Sequence, residues 1–182
     1  MPPSPVTVTR SGPGLAQLRA DLERIRSSEV LVGIPAEKAP REGSEINNAS
    51  LLFILGKGVR LKKKHPTGTA AQDLYVYSHG SPLMRIPPRP VLEPSVEQNK
   101  DIIVPHLEAA SKAILDHKPQ DAERELKLAG TVAANAAKRY VRQGNNLAPN
   151  APSTIRRKGS SRPLIASGAM IRAIVSVVRQ TK

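Results

Sequence analysis

Cations, rather than acids or nucleophiles, form the groupings in this sequence that point to chemistry. Lys62, Lys63 and Lys64 stand in a row, with Arg60 two residues earlier and His65 directly after. Arg156, Arg157 and Lys158 form a second row inside "PSTIRRKGSSRPL", with Arg162 four residues further on. Closely set Lys and Arg bind phosphates or carboxylates through charge and charge-assisted hydrogen bonds, and such contacts carry no base-sequence information. Aromatic residues are not interleaved with either row, so the stacking that holds single-stranded nucleic acid is not supported. Two readings stand side by side for the second row: backbone phosphates, or carboxylates across a subunit boundary. For the lysine row, a solvated hairpin tip competes with phosphate binding.

Other chemistries find no foothold. His65, His79, His106 and His117 do not pair at metal-ligand spacing, and neither HExxH nor GxSxG occurs. "GKG" at 56–58 lacks the earlier glycine and the following Ser or Thr of a phosphate-binding loop. With no cysteine, thiolate metal sites and disulfides are excluded. The expectation is a protein that is not an enzyme, with no catalytic, cofactor-binding or metal residues.

The elements that must carry these cations can be read from periodicity. Residues 14–27, "GLAQLRADLERIRS", set Leu15, Leu18, Leu22 and Ile25 on one face of an amphipathic helix. Val30 to Ile34 reads as a short buried strand ended by Pro35. Asn47 or Asn48 caps a helix through Leu51, Leu52, Ile54 and Leu55, which Gly56 and Gly58 stop. "LYVYSHG" at 74–80 alternates as a strand, the return arm of a hairpin tipped by the lysines. "IPPRPVLEP" at 86–94 reads as a rigid extended passage, because its prolines fix φ and lack an N–H. A helix over 95–118 should be kinked or split by Pro105. A further helix over 120–143 has Asp121 and Glu123 at its start and Lys138, Arg139 and Arg142 at its end, and Gly144 closes it. Its stripe of Leu126, Ala129, Ala133, Ala137 and Tyr140 invites close approach of a neighbour. A short turn of helix fits 151–159, and the end of the chain is a strand whose first half has helical character. The sum is α+β: one small antiparallel sheet of about three or four strands, packed against two or three helices. Residues 1–13 read as an N-terminal extension, and 14–182 as a single domain. A basic loop spans about 57–73 and a basic docking segment about 144–182.

Composition narrows the setting. The chain has 182 residues, and its aromatics are Phe53, Tyr75, Tyr77 and Tyr140 alone. A core of Ala, Val, Ile and Leu buries less area per residue, which raises the expectation that neighbouring subunits supply part of the stability. No apolar run approaches the roughly 20 residues of a membrane span. The start, "MPPSPVTVTR", lacks the basic-then-apolar order of a secretory signal, so a soluble cytosolic chain is expected. Net charge is +13, and residues 126–182 hold eleven Lys or Arg and no Asp or Glu. That asymmetry favours a polyanion or an acidic protein surface over a merely solvated basic face.

The order of motifs adds a resemblance. "VLVGIP", "NNASLLFILGKG", "GSPLMRIPPRPVLEPSVEQNKDII" and "LAPNAPSTIRRKGSSRPLIASGAMIRAI" follow one another much as in the neck and tail-completion proteins of tailed bacteriophages. The chain is similar to these proteins, including the virion morphogenesis proteins of Mu-like phages, over about residues 29–178. Ile86 to Leu92 matches an Ile-Pro-x-Arg-Pro-aromatic-Leu passage, and Pro163 to Met170 matches a closing PL-x-x-[ST]-G-x-[LM] block. Val91 stands where an aromatic is usual, and the stretch from Lys57 to His79 is longer than the family's connection. The resemblance implies a structural virion protein of the head–tail joint, assembled in the host cytoplasm without cofactors. It would form a six-fold homo-oligomeric ring around the DNA channel and contact adjacent neck and tail proteins. Arg60, Lys62, Lys63, Lys64, Arg156, Arg157, Lys158 and Arg162 would then face the genomic DNA or a subunit interface. "STIRRKGSSRPL" would be a docking loop that becomes ordered against a neighbour. A tail terminator subunit and a cytosolic, non-specific nucleic-acid-binding protein are the alternatives.

Overall fold

A computed structural model describes residues 14–41, 46–57, 59–61 and 84–181. In chain order these form α1 (Leu15–Ser27), β1 (Ser28–Gly33), a 3-10 turn (Ala36–Lys38) and α2 (Asn48–Lys57). Next come β2 (Val59–Leu61), β3 (Met84–Ile86), α3 (Leu92–Glu97), α4 (Lys100–Leu115) and α5 (Pro119–Gln143). The chain ends with α6 (Pro152–Lys158), α7 (Ala169–Ala173) and β4 (Val175–Gln180). The class is α+β, as the periodicity indicates.

Everything is arranged around α5, and its small residues are the reason. Ala122, Ala129, Gly130, Ala133, Ala134, Ala136 and Ala137 are all buried, so neighbouring backbones approach this helix from several sides. The small-residue stripe read from the sequence is therefore a contact face, and the neighbours on it belong to the same chain. Ile103 of α4 packs against Ala129 and Ala133. On the other side Ala134, Ala137, Tyr140 and Val141 join Leu52, Val91, Leu147, Met170, Ile171 and Ile174 in the main core. Val91, where the resemblance expects an aromatic, is buried there.

The ribbon sits at the closest point. β1 and β4 pair antiparallel, with Val30 opposite Val178, Leu31 opposite Val177 and Val32 opposite Ser176. A Cβ added to Gly130 would lie 2.7 Å from Ser176 Cβ and 3.0 Å from Val30 Cγ1. Only glycine admits the ribbon this near to the helix. The inner face thus presents Val30, Val32 and Ser176, while Leu31 and Val177 look outward.

Four expectations are corrected. In place of one sheet of three or four strands, the strands of the described residues form two separate antiparallel pairs, β1–β4 and β2–β3. Val59 pairs with Ile86 and Leu61 with Met84, and Pro87, Pro88 and Pro90 follow directly, lacking the N–H groups a longer ladder would need. The extended passage ends at Val91 rather than Pro94, because Pro94 falls in the first turn of α3, where its missing N–H has no partner to lose. Pro105 does not split the next helix, which runs unbroken through it. The break is at Gln98–Asn99, held by hydrogen bonds from Asn99 Nδ2 to the Ser95 carbonyl and from Arg139 Nη2 to Asn99 Oδ1. Pro105 lies within α4 on its exposed side, so the carbonyl it leaves free faces water. The strand expected over 74–80 lies outside the described residues.

The fourth correction concerns α1. Leu18 is 42% and Leu22 is 52% exposed, whereas Asp21 is buried at 7%. The apolar stripe is turned about a quarter of the helix circumference away from the side that meets the rest of the chain, by the 100° step per residue. Asp21 stands on the covered side: Gln17 Nε2, one turn earlier in α1, donates to its Oδ1 at 3.2 Å, and His117 Nδ1 lies 3.1 Å from its Oδ2, which accepts no hydrogen bond among the described residues. His117 occupies the left-handed region, φ 58°, in the tight link between α4 and α5.

Candidate functional site

The second cationic row is built by the end of a short helix. Pro152 opens α6 at a position where proline's fixed φ is already helical. Gly159, φ 69°, closes it, and its N–H donates to the Ile155 carbonyl at 2.8 Å. Arg156, Arg157 and Lys158 fill the last turn, where unpaired carbonyls favour positive charge. Arg162 follows in the loop. Arg156, Arg157 and Arg162 are exposed, and Lys158 is half-buried.

This segment carries its own order, contrary to the expectation of a loop that orders only against a neighbour. Asn150 Nδ2 donates to the carbonyls of Ser161 and Arg162 at 3.1 Å each. Lys158 Nζ donates to the Arg162 carbonyl, and the Arg162 N–H donates to Ser160 Oγ at 3.2 Å. These bonds satisfy backbone groups of a turn bounded by Gly159 and Pro163.

Arg89 is the residue that sequence reading missed. It is buried at 7% exposure. Its Nε donates to the Ala148 carbonyl at 2.7 Å and its Nη2 to the Pro149 carbonyl at 2.8 Å. The guanidinium fork thus clamps the strand of chain that enters α6. Burial lowers its pKa from the usual arginine range. Burial, and then the charge of Arg89, lower the pKa of Lys158. The "PPRP" signal was visible as rigidity; the clamp was not, because its acceptors lie some sixty residues away.

The cluster is electrostatically open. Among the described residues, carboxylates pair with Arg26, Lys100, Arg124, Lys127, Arg179, His106 and His117, and none pairs with Arg156, Arg157, Lys158 or Arg162. The site can take up anions by charge and by guanidinium hydrogen bonds. Of the first row, Arg60 has its backbone placed in β2 opposite Arg85, while Lys62, Lys63 and Lys64 lie outside the described residues. The two rows are therefore not shown to form one surface.

Apolar surface is open as well. Beyond Leu18 and Leu22, the facing pair Leu31 and Val177 is exposed on the ribbon, and Phe53 on α2 is 68% exposed. A groove of about 610 Å³ runs between α3, α4 and β1 above α5. Its walls are Val30, Val32, Leu92, Val96, Ile103 and Leu107, its floor is Ala129 and Ala133, and its edge carries Glu93 and Glu97. No helix among the described residues is long and apolar enough to cross a membrane.

Compared with known proteins, the chain matches no family model, no curated protein and no solved structure.

Proposed function

We propose that this chain is a structural subunit of the head–tail joint of a tailed bacteriophage, closing with copies of itself into a ring around the DNA channel. The observation that carries the reading is the orientation of α1. An amphipathic helix whose Leu18 and Leu22 stay outside the chain's own core has a face made for another surface. The motif order from "VLVGIP" to "PLIASGAM" supports placing that surface in a phage neck. The unpaired Arg156, Arg157 and Arg162 suit carboxylates of an adjoining protein or phosphates of the enclosed DNA. A chain short of aromatic core area gains stability from such neighbours.

Negative-stain imaging of the purified protein across a concentration series tests this directly. Rings growing with concentration are the expected result, and a monomer at every concentration refutes it. Reversing Arg156, Arg157 and Lys158 to Glu should abolish ring formation while leaving the melting temperature within a few degrees. Unchanged assembly would remove the cluster from the interface.

The exposed, unpaired arginines also favour a second reading, a non-specific nucleic-acid-binding protein. A monomer that shifts arbitrary duplex DNA with a steep loss of affinity on adding salt would support it. Ring assembly indifferent to DNA would count against it.

A further inference from the structure

The groove and the α1 stripe are complementary to each other, yet among the described residues they do not meet within one chain. Among the described residues no α1 side chain lines the groove; α1 packs against α4, with Asp21 3.1 Å from His117 in the α4–α5 turn. The groove is apolar, and Glu93 and Glu97 stand on its edge. Glu97 is engaged by Lys100, whereas Glu93 pairs with no cation among the described residues. The occupant that fits an apolar groove with an acidic edge is an apolar segment flanked by cations. The stripe has that character. By helical geometry Arg19 and Arg26 lie along the outer flank of Leu18 and Leu22, and among the described residues Arg26 pairs only with the exposed Glu23, at 3.7 Å.

We infer that the leucine stripe of α1 in one copy seats in the groove between α3, α4 and β1 of the next copy, with Arg19 and Arg26 against the Glu93 edge. Stripe and groove are different patches, so the contact is heterologous: each copy gives a helix and receives one, and the chain of contacts ends only by closing. The inference rests on the self-assembling part of the proposed function and assigns the surfaces that carry it.

The sequence contains no cysteine, so single-cysteine variants report contacts without background. Leu22→Cys and Leu107→Cys, both at exposed positions, are purified separately, checked by circular dichroism, mixed and oxidised. The expected product is a mixed disulfide dimer in clear excess over either homodimer. Adding Glu93→Lys to the groove copy should lower its yield about tenfold, the change expected from roughly 1.4 kcal/mol of lost contact. Val96→Cys replaces Leu107→Cys if that variant misfolds. Leu22→Cys homodimers in excess would overturn the inference in favour of stripe-to-stripe pairing. A monomeric disulfide in the chain carrying both cysteines would overturn it in favour of α1 folding onto its own groove. Rings without mixed dimer would refute this contact and leave the proposed ring intact. A monomer under all conditions would refute both and leave the stripe to a different protein.

Discussion

Substituting Gly130 by alanine tests the tightest contact in the fold, and its sign is informative. In an exposed helix interior, Gly→Ala stabilises by about 1 kcal/mol through backbone entropy and propensity. At Gly130 the new methyl would lie 2.7 Å from Ser176 Cβ, 2.8 Å from Ser176 Oγ and 3.0 Å from Val30 Cγ1. Carbon atoms prefer roughly 3.5–4.0 Å, so the β1–β4 ribbon must move off the helix by about 1 Å. Overpacking of that kind costs about 1–3 kcal/mol. Against the propensity gain, Gly130→Ala should therefore destabilise by about 1 kcal/mol, read as a fall of roughly 2–4 °C in Tm for a chain of this length. Gly56 is the internal control: it lies in α2, and its added Cβ meets nothing within 4 Å, so Gly56→Ala should be neutral or stabilising. Urea titrations followed by circular dichroism give both values. A double variant with Ser176→Gly, which removes the nearest carbon, should recover about 1 kcal/mol of coupling. Stabilisation by Gly130→Ala equal to that at Gly56, with no coupling to Ser176, would refute the ribbon-on-helix packing described above.

Two further outcomes follow from single side chains. Arg89→Met keeps the volume but strips the donors from the Ala148 and Pro149 carbonyls, so stability should fall by about 2–3 kcal/mol and limited proteolysis should open the segment from 147 to 163; a variant as stable and as resistant as the parent would rule out the clamp. Arg179 Nε donates to Glu29 Oε2 at 3.0 Å, with Nη2 forming an ion pair to the same oxygen at 3.0 Å, and that hydrogen bonding lowers the Glu29 pKa below its ordinary 4.5. A carboxyl lowered on folding contributes stability that is present above its unfolded pKa and lost as pH falls through the folded one. Glu29→Gln should thus differ from the parent by a constant amount above about pH 5, by that linkage, and converge with it on acidification; a difference that grows toward low pH would contradict the assignment.

The sequence by itself determined the features that depend on a few consecutive residues. A cap at Asn47 or Asn48 was legible from the side-chain type and the apolar run after it, and the structure selects Asn47, whose Oδ1 accepts from the Ser50 N–H at 2.8 Å. Gly144 and Gly159 end α5 and α6 at φ 69°, because capping is settled within one turn of helix. The α+β class, the long alanine-rich helix and the two basic rows were legible for the same reason: period, composition and charge are local quantities.

Tertiary structure alone decided what depends on partners distant in the chain. Pairing of β1 with β4 joins residue 28 to residue 180, and no local pattern encodes that register. Gly130 reads as a weak point in a helix until Ser176 stands above it. Arg89 reads as part of a stiff proline run until its fork meets the carbonyls before α6. The helix break fell at Asn99 and not at Pro105, because a proline on a solvent-facing flank frees only a carbonyl that water can satisfy. Most telling is α1, whose hydrophobic period is clear in sequence while its direction is not. Amphipathicity states that a face must be covered; whether the cover is the same chain is decided by rotation about the helix axis, and here Asp21 is turned inward while Leu18 and Leu22 are exposed.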